Sequence, residues 1–220
     1  VEYLDLSPYA YTASPLPMTS VGWLGSEHGV QGGTGSPLTE AELRTLRAAS
    51  RRVCNVMLGF HPCEFCEAVE GNGEYRYYLP GGRTFAAPAM IVHYAERHGY
   101  RPPREFLDGL PEAVRPAWDG RAESLREVLL DGAAGLEWRA EAAVDLAQWN
   151  DRRAFDALRQ AVADAELADC AGDEIGRSLA AFAGRDYAAG LDRDGLPPSV
   201  RFGVADAARN DALTLVRRRG

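Results

Sequence analysis

Lysine is absent from the 220 residues, and all 24 positively charged side chains are arginine. Without an amine no Schiff base can form on a carbonyl substrate, and the phosphate-cradling glycine-rich loop that ends in lysine is excluded as well. The chain also lacks any apolar run of about 18 residues, so no transmembrane helix is expected. Its first residues, Val1-Glu-Tyr-Leu-Asp-Leu, have neither the basic start nor the apolar centre of a signal peptide. A cytoplasmic location, where thiols stay reduced, is the expectation. Arginine in place of lysine, beside abundant Ala, Gly and Asp, looks like the codon bias of a GC-rich bacterial genome.

A basic footprint is missing too. The formal charge is -8, and it is shared: residues 1–110 hold 9 Arg against 12 acidic residues, and residues 111–220 hold 15 against 20. Neither half offers the positive surface that phosphate neutralisation requires, so nucleic acid is not an expected partner. A protein partner of basic character is easier to accommodate. Hydrophobic residues make up 46% and charged residues 25%, enough for one large or two modest globular domains.

Cysteine and histidine are scarce, four of each, but three cysteines and all the histidines fall within the first 98 residues. His61-Pro62-Cys63-Glu64-Phe65-Cys66 contains the close Cys-x-x-Cys pair that tetrahedral structural zinc sites commonly use for two of four ligands. His93 and His98, 27 and 32 positions after Cys66, are the nearest downstream donors. His61 lies two residues before Cys63 and is within reach of the same ion, while His28 reaches it only if its loop folds back. On one helix His93 and His98 are rotated by about 140° from each other, so a single ligand is expected there. His93, among apolar neighbours, is chosen, and His98 near the carboxyl end is assigned to the helix dipole. The expected metal set is therefore Cys63, Cys66, His93 and His61, with His98 and His28 behind them. Two alternatives stand beside it: a redox Cys-x-x-Cys, which has no βαβ context here, and cysteines that merely pack. Cys54 and Cys170 are read as buried residues.

Along the chain, Val21–Leu24 is a strand candidate and Gly32–Pro37 a flexible loop. Thr39 and Glu42 form a capping box for a helix that runs to about Ser50, with Leu38 and Leu43 as a hydrophobic staple. Val53–Leu58 reads as a buried strand. Glu74–Leu79, the turn Pro80-Gly-Gly82 and Arg83–Ala86 read as a hairpin. A helix over Ala87–His98 follows, with Pro88 in its first turn and Gly99 as its stop, and then a short amphipathic piece over Arg104–Leu110. Past Pro111 and Pro116 the pattern turns alanine-rich and helical. Ala143, Leu146, Ala147 and Trp149, followed by Asn150-Asp151, give one apolar stripe, and a helix with Ala154, Leu158, Ala161 and Val162 follows. Leu179, Ala180 and Phe182 recur 33 positions later, and Val204, Ala207 and Ala208 form a fainter copy before Asn210-Asp211. Units that cannot bury their stripes alone must stack; an irregular bundle is the alternative.

Residues 121–218 resemble HEAT-like helical repeats of the short bacterial type, which implies an interaction scaffold rather than an activity. Gly22-Trp-Leu24, His61–Cys66 and His93-Tyr-Ala-Glu-Arg-His98-Gly-Tyr-Arg-Pro-Pro103 resemble an uncharacterised bacterial domain over roughly residues 1–110, which brings no catalytic residue with it. The expected architecture is an α+β domain over 1–110, a small sheet with two helices and a metal staple, followed by an all-α HEAT-like domain over 118–220. The expected function is a protein-binding adaptor or scaffold with a structural zinc ion, such as an immunity-type inhibitor of a basic partner. A zinc hydrolase with Cys63, Cys66 and His93 as ligands, water in the fourth position and Glu64 or Glu67 as base is the alternative. A third reading is a metal-free helical-repeat subunit.

Overall fold

The computed structural model describes residues 1–30, 36–56, 59–210 and 216–218. The readings that touch Gln31–Gly35, Leu58 and Asp211 lie outside them. The chain forms two units, one of residues 1–12, 17–116 and 215–220, the other of residues 13–16 and 117–214. Among the described residues no helix is long and apolar enough to cross a membrane.

The first unit is built on strands β1 (Thr19–Ser20), β2 (Val53–Cys54), β3 (His61–Pro62), β4 (Val69–Gly71), β5 (Glu74–Tyr78), β6 (Thr84–Pro88) and β7 (Val216–Arg218). Four of them make a mixed sheet in the order β1-β6-β5-β2, with β1 parallel to β6 and the other pairs antiparallel. The remaining three make a small antiparallel sheet, β3-β4-β7. Three helices accompany them: α1 (Glu40–Ala49), α2 (Ile91–Arg97) and α3 (Arg104–Ala113).

Local chemistry accounts for α1. Thr39 Oγ1 accepts from the Glu42 backbone N–H at 3.2 Å while the Glu42 carboxylate accepts from the Thr39 N–H at 2.7 Å, the expected capping box. Leu46 on its inner face is fully buried, and Leu38 and Leu43 join the same core. That core is aromatic at its centre, where Phe106 of α3 meets the edges of Tyr77 (4.9 Å between ring centroids) and Phe85 (5.4 Å). Rings in this geometry add a little to their area burial, about 0.5–1.5 kcal/mol per pair.

Three elements differ from the sequence reading. Val21–Leu24 is buried but is not a strand, because Gly22 adopts φ +70° and breaks the extended run just after β1. The strand expected over Val53–Leu58 stops at Cys54, where Asn55 turns into the left-handed region at φ +45° and Val56 becomes exposed. Pro88 does not open a helix; it ends β6, opposite Glu74. The tyrosines of β5 prefer a paired strand, and the pairing carries β6 past the point where the proline suggested a helix start. The helix stop is as expected, with Gly99 at φ +68°.

The second unit is helical throughout residues 117–210: α4 (Gly120–Leu130), α5 (Leu136–Leu146), α6 (Arg152–Ala161), α7 (Ala165–Ala180) and α8 (Pro198–Asn210). Asp119, Asp151 and Asp164 cap α4, α6 and α7 by accepting first-turn backbone N–H groups. Leu125, Leu129, Leu146, Leu158, Leu167 and Ile175 are fully buried from successive helices, as is Trp149, whose Nε1–H donates to the Ala117 carbonyl at 3.0 Å. Cys170 corrects the sequence reading. It is exposed on α7, because the inward positions of that turn are taken by Leu167, Ala168 and Ala171.

One acidic cluster on this unit is expected to make its stability pH-dependent. Burial and the adjacent Asp173 push the Glu174 carboxyl up to about 7, while Arg177 opposes the shift. Arg177 also pairs with Asp173 at 2.8 Å and with Asp206 of α8 at 3.1 Å. An acid whose folded pKa is raised binds its proton more tightly in the native state, so stability falls as pH rises between about 4.5 and about 7. Glu174→Gln keeps a neutral donor and removes the titration. Its melting temperature is expected to match that of the parent at pH 5 and to exceed it at pH 8. A gap that does not change between the two pH values argues that Glu174 already titrates normally.

Candidate metal centre

The short β3–β4 hairpin carries the Cys-x-x-Cys pair in a tight turn. Cys63 N–H donates to the Val69 carbonyl at 2.8 Å, and the Cys63 carbonyl accepts from Glu67 N–H at 2.7 Å. Closing that loop puts Glu67 at φ +53°, a conformation that a non-glycine residue adopts at a cost. The backbone N–H groups of Phe65 and Cys66 point at the Cys63 sulfur and favour its thiolate, although burial, the larger effect, pushes the thiol up. Cys63 is fully buried and Cys66 is exposed.

Helix α2 supplies the imidazoles. His93 lies within it, and His98 follows its last residue, held by a bond from its N–H to the Tyr94 carbonyl. At φ -114° and ψ 4° His98 has left helical geometry. The 140° rotation of a continuous helix therefore does not separate the two rings, and their Nε2 atoms stand 3.1 Å apart. Phe65 packs on the His98 ring at 5.3 Å and on Tyr94 at 5.8 Å, which fixes the hairpin against the helix. Both imidazoles are pushed down, chiefly by burial. That favours the neutral form, the one that coordinates metals.

Four donor atoms, from Cys63, Cys66, His93 and His98, lie within 4.8 Å of one another, and the group can hold a metal ion. Cys63 Sγ is 3.3 Å from His98 Nε2, and Cys66 Sγ is 3.5 Å from His93 Nε2. A zinc tetrahedron with Zn–S about 2.3 Å and Zn–N about 2.05 Å has S–N edges of about 3.6 Å and N–N edges of about 3.3 Å. The observed spacings of 3.3, 3.5 and 3.1 Å are those edges drawn in slightly. Two thiolates and two neutral imidazoles also suit the borderline-soft preference of that ion.

The other histidines lie elsewhere. His61 sits on β3 opposite Gly71, exposed; it lines a neighbouring cavity and does not belong to the four-donor group. Two residues of extended chain set its Cα roughly 6–7 Å along the strand from that of Cys63. His28 belongs to a different group, with Glu2 and Glu27. There the Glu2 carboxylate accepts from the backbone N–H groups of Glu27 (2.9 Å) and His28 (3.0 Å) and lies 3.1 Å from His28 Nδ1. Glu64 accepts from the Ser26 N–H at 2.7 Å. Neither Glu64 nor Glu67 belongs to the four-donor group.

Residues 1–111 match a family described as a domain of unknown function, DUF7919. No curated protein and no solved structure matches the chain.

Proposed function

The chain belongs to the DUF7919 family, and from that premise we propose that its first unit is a domain stapled by a structural zinc ion within a protein that acts by binding other proteins. The observation that carries this reading is the convergence of four protein donors within 4.8 Å, with three of their separations close to the edges of a zinc tetrahedron. Zinc with four protein ligands has no position left for a reacting water, whereas hydrolytic zinc sites keep one open. When bound, the ion supplies a cross-link between the β3–β4 turn and the end of α2. Cys63, Cys66, His93 and His98 hold it. Phe65 positions the hairpin, and the N–H groups of Phe65 and Cys66 stabilise the buried thiolate. The hydrolase alternative would need one of the four to be displaced by water and Glu64 to give up its bond to Ser26.

Protein purified without chelator is expected to contain one zinc per chain by elemental analysis, and to lose thermal stability when the ion is removed at neutral pH. Metal content far below one per chain, with a melting curve indifferent to chelator, would sink the proposal.

The helical unit is read as a HEAT-like stack that presents the contact surface. Supporting this, Asp119 and Asp151 cap helices 32 positions apart, close to the 33-residue recurrence of the apolar stripes. The net charge of -8 favours a basic partner. Such a partner should co-purify at low salt and be released as ionic strength rises; recovery of acidic or neutral proteins alone argues against it.

A further inference from the structure

A cavity of about 80 Å³ opens in the first unit beside the metal-binding hairpin, and the four metal donors take no part in lining it. Since one water needs about 10–15 Å³ of such space, the cavity has room for a small organic molecule. Its walls are of two kinds. Trp23, Leu24, Met90 and Tyr94 are buried and present aromatic and apolar surface, with Tyr11 beside Trp23 at 5.3 Å between ring centroids. The carboxylates of Glu74 and Glu64 supply the charge, with the exposed His61 ring at the rim. Among the described residues no arginine lines the cavity.

Glu74 is held as a binding group is held. It is 1% exposed. Its Oε1 accepts from Asn55 Nδ2 at 2.6 Å and from Arg76 Nη2 and Nε at 3.0 and 3.2 Å. Its Oε2 accepts from Tyr9 O–H at 2.5 Å. Three donors crowd Oε1 and one reaches Oε2, so Oε2 is the oxygen better placed to take a further donor. Asn55, which also lines the cavity, keeps its left-handed backbone while its side chain donates to both Glu74 and Thr12. Burial pushes the Glu74 carboxyl up despite Arg76, and a bound cation would offset part of that cost.

We propose that this cavity is a binding site for a small organic amine, with its apolar body against Trp23, Met90 and Tyr94 and its ammonium group directed to the carboxylates of Glu74 and Glu64. Aromatic walls attract a cation through their ring faces as well; Arg76 offsets the charge of Glu74 at 3.0 Å, and Glu64, bonded to the neutral Ser26 N–H, keeps the lining acidic and disfavours an anion. The site is separate from the zinc reading, and neither depends on the other.

The test is calorimetric titration of the full chain, its metal content measured beforehand, with phenethylamine and with phenylacetate, two probes of similar size and opposite charge. Saturable one-to-one binding of the amine is expected, at least about tenfold tighter than that of the carboxylate. Amide and indole NMR shifts should be confined to Asn55, Asn72 and Trp23. Glu74→Gln should remove most of the preference. Because that variant leaves Arg76 partly unpaired and can fail to fold, Glu64→Gln at the exposed rim is the second variant, expected to weaken the amine by roughly two- to fivefold. Equal affinity for both probes, no saturation by the amine at about 10 mM, or an unchanged amine affinity in Glu64→Gln overturns the proposal.

Discussion

Cys63→Ser and Cys66→Ser are each expected to abolish metal retention and to lower the melting transition of the first unit, while Cys170→Ser leaves both unchanged. Structural zinc contributes its binding free energy to folding, about 10–16 kcal/mol in small finger peptides. This unit also has a core of its own, with Leu46, Phe85, Ile91 and Phe106 buried, so it need not collapse completely. A loss of roughly 3–5 kcal/mol corresponds to a fall of about 10–30 °C for a unit of this size. Cys63 should be the worse position to change. Its sulfur is buried and faces two backbone N–H groups, whereas Cys66 is exposed. Cys170 is the control because it is exposed on a helix of the other unit. Equal behaviour of the three variants, measured by elemental analysis and differential scanning calorimetry, would remove the basis for the site.

The second large effect is expected where α7 and α8 meet, at glycines with no link to the metal. A Cβ added at Gly176 would stand 2.1 Å from the Val200 carbonyl oxygen and 2.8 Å from the Val204 nitrogen. One added at Gly203 would stand 2.0 Å from the Asp173 carbonyl oxygen. Each of these neighbours is backbone, so no side chain can swing aside and the helices must separate. Gly176→Ala and Gly203→Ala gain about 1 kcal/mol of helix propensity and lose more through overpacking, typically 1–3 kcal/mol and more where backbone must move. With backbone forced to move, the loss lies at the upper end of that range, so both should destabilise the second unit by about 2 kcal/mol net in chemical denaturation. Gly120→Ala, at a position with no atom within 4 Å of the added carbon, should be neutral or stabilising. Stabilisation by all three would mean that the two helices do not pack this closely in solution.

Much of the architecture could be read from local chemistry. The capping box at Thr39 and Glu42, the stop at Gly99 and the change to helix after Pro116 depend on residues within a turn of one another. So does the Cys63–Cys66 pair, whose short spacing restricts it to one tight turn. What the sequence concealed was set by partners far along the chain. The extension of β6 to Pro88 follows from its pairing with β5, and the short β2 follows from the turn at Asn55, whose side chain bonds to Glu74 and Thr12.

The sequence by itself determined the kinds of atom available: three of four thiols and all the imidazoles in one half, arginine as the only fixed cation, acidic charge in both halves, and apolar stripes at helical spacing. Tertiary structure decided which of them meet. His98 faces His93 because the helix ends between them, and His61 stays apart because the extended strand leading into the hairpin turn holds it short of the donors. Glu74, one acid among 32, becomes a buried cavity wall only once β5 is paired on both sides. Spacing along a chain limits which residues can converge, but the direction of each side chain is set by backbone turns and by packing against elements that sequence proximity does not reveal.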